Sequence, residues 1–139
     1  MIGTELKTKS YSKAKRYLEN AIDILKTKAN KQGRFYEDEK YVRMACGTAY
    51  SGTLIALDAY LLLKRKEIKR KKHQRKSVDD YLSALSDLDK KLLKEFFNAY
   101  EILHLVGYYD GNTNYELIKV GMNSAAEIIN KIKPNGLHE

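Results

Sequence analysis

The chain has 139 residues, 43% of them hydrophobic and 32% charged, with a single proline. This length and composition fit one folded, helix-rich domain and exclude a disordered chain. The net charge is +8, and all of it lies in residues 64–76 (KRKEIKRKKHQRK), where nine Lys or Arg stand against one Glu. This basic arm favours an anionic partner, whereas the rest of the chain is neutral.

The sequence predicts a cytoplasmic protein with no membrane segment. Its one cysteine, Cys46, excludes an internal disulfide, and the first residues (MIGTELKTKS) lack the apolar core of a secretory leader. The most apolar span, residues 53–63, carries Asp58 and is shorter than the roughly 20 residues that a membrane helix needs.

Two helices are predicted in the first half of the chain. Apolar residues recur every three or four positions over residues 10–29, with Ser10 or Ser12 as the N-cap. A turn is expected over residues 30–34. The second helix, over about 38–66, is apolar on most sides and rich in small residues, including Gly47 and Gly52, which is typical of a helix at the centre of a bundle.

The second half of the chain predicts a short helix and two longer ones. Ser77 with Asp80 resembles a capping box for the short helix. Ser86 or Asp87 is expected to cap a helix that ends near Gly107. The core face of that helix is expected to hold Leu88, Leu92, Phe96, Ala99, Leu103 and Val106. A final helix begins at about Asn114 and stops before Pro134.

These elements predict an all-α fold, a four-helix up-and-down bundle with a short extra helix and a basic connection between the second and third long helices. The whole of residues 1–139 is expected to form one domain, with its core over about 10–133 and the basic arm at 64–76.

Metal and nucleophile chemistry are not indicated. Glu101 and His104 have the Glu-x-x-His spacing of di-iron bundles, but no second such motif is present, so neither a metal nor a cofactor is expected. Cys46 lies among small residues of the apolar helix, where a free cysteine is usually inert. His104, beside the core face of its helix, is more often a packed histidine than a catalytic one.

Asp58 and two tyrosines are the other polar groups of interest. A carboxylate in the most apolar helix needs a partner, and either a tyrosine hydroxyl or His104 would serve. We expect Asp58 to form a polar bridge that fixes helix register. Tyr108 and Tyr109 fit no core stripe and lie where a helix ends, so they are expected to line a mouth between helices.

The basic arm has two interpretations. Its cations would bind the phosphates of a nucleic acid with salt-sensitive affinity, and the residues assigned to this contact are Lys64, Arg65, Lys69, Arg70, Lys71, Lys72, Arg75 and Lys76. Alternatively, the segment is a solvated helix end whose charges keep the bundle soluble. It has no interleaved aromatic residues for base stacking.

The order of the helices resembles the HEPN superfamily of helical bundles over residues 10–133. Four segments, KRYLENAIDIL, KYVRMACGTAYSGTLIALDA, KSVDDYLSALSDLDKKLL and AYEILHLVGYYDG, are also similar to a bacterial family of unknown function. In HEPN ribonucleases an Arg, followed after four to six residues by a His, forms an active site at a homodimer interface. The resemblance places that histidine at His104 and the arginine position at about Asn98, with Tyr108 as the tyrosine that follows.

The sequence therefore leads to three alternative hypotheses about function. The first is a non-catalytic binding module, as a homodimer, for an anionic partner such as RNA or a nucleotide. Its ligand-binding residues are Asn98, His104, Tyr108, Tyr109 and Asp110. The second is a metal-independent, toxin-like ribonuclease with His104 as general acid or base and a cation of the basic arm replacing the arginine. The third is a module that binds another protein in a groove.

Overall fold

The computed structural model describes residues 2–69 and 76–135. This part of the chain is mainly helical, which confirms the all-α class. The helices are α1 (Ile2–Thr27), α2 (Glu39–Leu63), α3 (Val78–Ser86), α4 (Lys90–Ala99) and α5 (Tyr115–Asn130), and a π-helical segment, Tyr100–Tyr109, continues α4. A hairpin of two short strands, β1 (Lys31–Gln32) and β2 (Phe35–Tyr36), joins α1 to α2.

Helix α1 begins eight residues earlier than its sequence pattern predicts. Its added turns pack against the end of α2: Leu6 is half-buried, and a Cβ on Gly3 would lie 3.7 Å from the Leu63 side chain. Ser10 and Ser12 therefore lie inside the helix and are not its caps. The tertiary contact extends the helix where the local apolar pattern is weak.

The expected turn after α1 is a β-hairpin. Gly33 in its loop has a φ of +63°, a backbone conformation that glycine adopts at little cost. Lys31 pairs with Tyr36, and the Tyr36 N–H donates to the Thr113 carbonyl at 2.9 Å. The hairpin is thereby attached to the loop that precedes α5.

Helix α2 lies at the centre of the fold, in contact with α1, α5 and the π-helical segment. Gly52 lets α1 approach closely, because an added Cβ would stand 3.0 Å from the Ala14 carbonyl oxygen. By length and mean hydropathy α2 could span a membrane, but half of its most apolar window is buried inside the fold. This burial fits the core helix of a globular domain. The helix ends at Leu63, with Lys64 as C-cap, slightly before the expected end near residue 66.

The capping box that opens α3 is present. The Asp80 N–H donates to the Ser77 hydroxyl at 3.2 Å, and the Ser77 N–H donates to the Asp80 carboxylate at 2.9 Å. Helix α4 is capped by Asp89, whose carboxylate accepts from the Leu92 N–H at 3.0 Å. The expected caps for this helix, Ser86 and Asp87, instead end α3, because α3 runs further than its short apolar stripe indicated.

The π-helical segment shifts the core face of the third long helix by one residue. Leu103 and Gly107 are buried, whereas Val106, which an α-helical period would bury, is only half-buried. A π-helix bonds residue i to i+5 and so fits an extra residue into each turn. At its end the Asp110 N–H accordingly reaches back to the Leu105 carbonyl at 3.0 Å.

Candidate functional site

A groove of about 710 Å³ lies between α1, α2, the start of α3 and the π-helical segment. We call it the aromatic groove, because seven rings line it: Tyr17, Tyr50, Tyr81, Tyr100, His104, Tyr108 and Tyr109. Two cationic side chains, Arg43 and Lys76, also line it, together with the exposed Met44. The groove therefore combines flat apolar faces with positive charge.

His104 is the centre of the ring cluster. Its ring stacks on Tyr50 at 4.8 Å between centroids, on Tyr100 at 5.6 Å and on Tyr108 at 6.1 Å. The ring of Tyr109 meets it edge-on at 5.1 Å. Tyr100, His104 and Tyr108 are each four residues apart, so they form one column along the helical segment.

Burial among these rings favours the uncharged imidazole. It lowers the pKa of His104 from its ordinary value near 6.5, so the ring is largely neutral at pH 7. Burial likewise raises the pKa of the Tyr50 hydroxyl, which stays protonated. The groove wall is thus neutral and aromatic, and its charge comes from the cations at its edge.

Arg43 holds the end of the π-helical segment in place. Its Nη1 donates to the carbonyls of Tyr108, at 2.9 Å, and Tyr109, at 2.5 Å, while its Nε donates to Glu39 at 3.1 Å. The last carbonyls of a helix lack partners within the helix, and a guanidinium satisfies them well. Arg43 therefore fixes the backbone from which Tyr108 and Tyr109 project.

Lys76 is tied to the central helix beside the groove. Its Nζ lies 3.1 Å from the Asp58 carboxylate, which also accepts a hydrogen bond from the Tyr81 hydroxyl at 2.8 Å. Of the two partners expected for Asp58, a tyrosine hydroxyl is the one present. The contacts described for His104, the other expected partner, are with aromatic rings. The bridge joins α2 to α3 and places the last residue of the basic arm at the groove.

The structure brings together only part of the expected ligand-binding set. His104, Tyr108 and Tyr109 line the aromatic groove, but Asn98 and Asp110 do not. Asn98 is half-buried on α4, before the π-helical segment, and Asp110 is exposed just after that segment ends.

The basic arm is described in part. Lys64, Arg65 and Lys69 are exposed, and Lys76 is half-buried at the groove. The remaining assigned cations, Arg70, Lys71, Lys72 and Arg75, lie outside the described residues. Among the described residues of the arm, Lys76 lines the groove, whereas Lys64, Arg65 and Lys69 do not.

Sequence reasoning missed Arg43 and four tyrosines as groove residues: Tyr17, Tyr50, Tyr81 and Tyr100. Tyr50 and Tyr100 are half-buried and pack against the core, so they belong both to the core and to the groove wall. The spacing of Tyr100, His104 and Tyr108 was a usable signal. Arg43 carried none, since its partners are backbone carbonyls 65 and 66 residues away.

Other possible chemistry is not supported by this geometry. Cys46 is buried against Gly107, and burial raises the pKa of its thiol to about 12, so little thiolate forms at neutral pH. Within residues 2–69 and 76–135, no group of three His, Cys, Asp or Glu side chains is arranged to hold a metal ion.

Comparison with known proteins identifies relatives without an assigned activity. Among curated proteins none matches the chain. A solved structure of a protein of unknown function from Dyadobacter fermentans is 44% identical and superposes with a TM-score of 0.78. The match covers 91% of this chain and 94% of that one. A family model matches residues 9–134, and the chain therefore belongs to the family described as "Domain of unknown function (DUF5618)".

Proposed function

We propose that this protein is a non-catalytic, HEPN-like binding domain whose aromatic groove takes one nucleotide unit, either a free nucleotide or a nucleotide of single-stranded RNA. The observation that carries the proposal is the position of Lys76. This last residue of the basic arm lines a groove that also holds seven aromatic rings. Planar faces for a base and cations for a phosphate therefore occur together.

The base would stack on the rings at the open side of the groove. Tyr108 is 46% exposed and Tyr109 61%, and exposed Met44 lies in the same wall. Large apolar groups on a surface indicate a binding site when they are grouped in this way. Stacking of one base on an aromatic side chain contributes about 1–3 kcal/mol and tolerates any base.

The phosphate would contact Lys76 and the basic arm that leads to it. The arm supplies nine cations within thirteen residues. Each phosphate that such cations neutralise on a single strand steepens the dependence of log affinity on log salt by about 0.7. Affinity for RNA is therefore expected to fall steeply as salt rises.

The ribonuclease alternative has weaker support. The HEPN resemblance puts the arginine position at about Asn98, which does not line the groove. Arg43, the guanidinium that does line it, is bonded to the carbonyls of Tyr108 and Tyr109. A fixed cation aimed at a reacting phosphate is what this chemistry requires. His104 alone would leave the developing charge without that partner.

The homodimer is part of the same proposal and is independent of the ligand. The HEPN resemblance implies a dimer with the His104 region at its interface. Light scattering on the purified chain distinguishes a mass near 32 kDa, twice the 16.0 kDa of one chain, from a monomer. A monomer at micromolar concentration would remove the dimer from the proposal and leave the groove intact.

The experiment measures fluorescence anisotropy of a labelled single-stranded RNA at 50 and 200 mM salt, with the same samples run on a gel to detect cleavage. AMP and inorganic phosphate are tested as competitors, to separate a nucleotide site from a simple anion site. The matched variants are Tyr108→Ala, in the groove, and Phe97→Ala, an aromatic residue of α4 that is similarly exposed but lies outside the groove.

We expect binding that weakens with salt, intact RNA and competition by AMP. Tyr108→Ala should weaken binding at least about fivefold, the effect of losing one stacked base, while Phe97→Ala leaves it unchanged. Cleavage that disappears in His104→Ala would support the ribonuclease instead. No binding at either salt concentration would overturn the proposal, and recovery of a protein partner without RNA would favour the interaction module.

A further inference from the structure

We infer that Asp58 holds Lys76 and competes with the ligand's phosphate for the Lys76 ammonium group. The carboxylate thereby lowers the affinity of the groove for its ligand. This inference rests on the proposed function. It assigns a role to Asp58, which does not itself line the groove but is paired with the groove residue Lys76.

The contacts of Asp58 place a negative charge where a phosphate would bind. Lys76 Nζ is 3.1 Å from Asp58 Oδ1, and the Tyr81 hydroxyl donates to the same oxygen at 2.8 Å. The Asp58 carboxylate is held by α2, whereas Lys76 and Tyr81 come from the start of α3 and the residues before it. The carboxylate thus accepts from the same donor that a phosphate oxygen would use.

The pair is open enough for exchange. The Lys76 side chain is 27% exposed and that of Asp58 42%, so water reaches both. An ion pair with this exposure is weak, because solvent screens it and the long side chain loses freedom in forming it. A phosphate, with more charge and more acceptor oxygens than a carboxylate, can therefore displace Asp58 from Lys76.

The Asp58→Asn variant removes the negative charge at this position and keeps the shape of the side chain. The amide oxygen still accepts from the Tyr81 hydroxyl, so the link between α2 and α3 is kept, while the competing charge is gone. The expected gain in RNA affinity is about two- to fivefold, the range that one partly exposed ion pair implies. Full use of Lys76 by a phosphate would also steepen the salt dependence by up to about 0.7.

The control is Asp23→Asn, which raises the net charge by the same one unit. Asp23 is exposed on α1 and is not in contact with Lys76; the bond described for it is one that its backbone carbonyl accepts from Thr27. Labelled RNA and AMP are titrated against wild type, Asp58→Asn, Asp23→Asn, Lys76→Gln and the double variant Asp58→Asn with Lys76→Gln. Asp58→Ser removes the same charge with a smaller side chain, if the Asn variant does not fold.

We expect Asp58→Asn to bind more tightly than Asp23→Asn, and the gain to vanish when Lys76 is Gln. If the wild type binds but Asp58→Asn follows Asp23→Asn, or the gain persists without Lys76, this inference is wrong and the proposed function stands. If the wild type binds neither RNA nor AMP, both are overturned.

Discussion

Gly107 is the point at which the π-helical segment packs against α2, the central helix. We expect Gly107→Ala to destabilise the fold. An added Cβ would overlap Cys46 Sγ and lie 2.8 Å from Cys46 Cβ and 3.1 Å from the Ile102 carbonyl oxygen. Neither Cys46, fully buried in the core, nor the backbone can move away easily. Overpacking of this kind costs about 1–3 kcal/mol, against a gain of up to about 1 kcal/mol from replacing a helical glycine.

The matched control is Gly47→Ala, the same change on the central helix. There an added Cβ meets the Tyr108 ring at 3.0 Å, and that ring is 46% exposed and can turn away. We therefore expect Gly47→Ala to leave the free energy of unfolding unchanged or to raise it by up to about 1 kcal/mol. Gly107→Ala should lower it by about 1–2 kcal/mol.

Urea unfolding followed by circular dichroism measures both changes. A loss of 1–2 kcal/mol lowers the midpoint by roughly 1 M, given urea slopes of about 1–3 kcal/mol/M. Adding Cys46→Ala to Gly107→Ala removes the sulfur from the contact, and the two changes should couple favourably by at least about 0.5 kcal/mol. A Gly107→Ala protein as stable as Gly47→Ala, or additive behaviour with Cys46→Ala, would refute the reasoning.

Three further changes test the site. Because burial lowers the pKa of His104, the unfolded chain binds the His104 proton at a higher pH than the native chain does. The free energy of unfolding should therefore fall as the pH drops below about 6.5 towards the lowered native pKa. In urea titrations between pH 7.5 and 5, His104→Gln should remove this part of the pH dependence. Arg43→Gln removes the guanidinium from the carbonyls of Tyr108 and Tyr109, and we expect it to lower the free energy of unfolding by about 1 kcal/mol, measured by the urea midpoint. Arg43→Lys should have an intermediate effect. No loss of stability in either variant would show that these hydrogen bonds are dispensable. The Cys46 thiol, with its pKa raised to about 12, should react with a thiol reagent at pH 8 only as the protein unfolds, so rapid labelling in native buffer would contradict its burial.

Local signals accounted for the features that the sequence predicted well. The Ser77–Asp80 capping box lies within one turn, and its partners are three residues apart. In α5 the residues Ile118, Met122, Ala125 and Ile129, spaced three or four apart, are buried, because an unbroken α-helical period fixes the face.

Features that depend on tertiary contacts could not be predicted in the same way. In the π-helical segment Gly107 packs closely on Cys46, a contact between two residues 61 positions apart that no local pattern signals. The aromatic groove also depends on Arg43, which acts through backbone carbonyls and leaves no pattern in the sequence. The presence of Lys76 in the same groove as His104 depends on the bonds that join Lys76 and Tyr81 to Asp58 of α2.

The most direct test of the account is a histidine ring ¹H–¹³C NMR spectrum recorded during titration with AMP. The chain has three histidines, so the His104 signal can be assigned from the His104→Gln variant. A base that stacks in the aromatic groove changes the ring currents around His104, and we predict a saturable shift of that signal. A shift of His73 alone, in the basic arm, or no shift at saturating AMP and with single-stranded RNA, would contradict a nucleotide site in the groove.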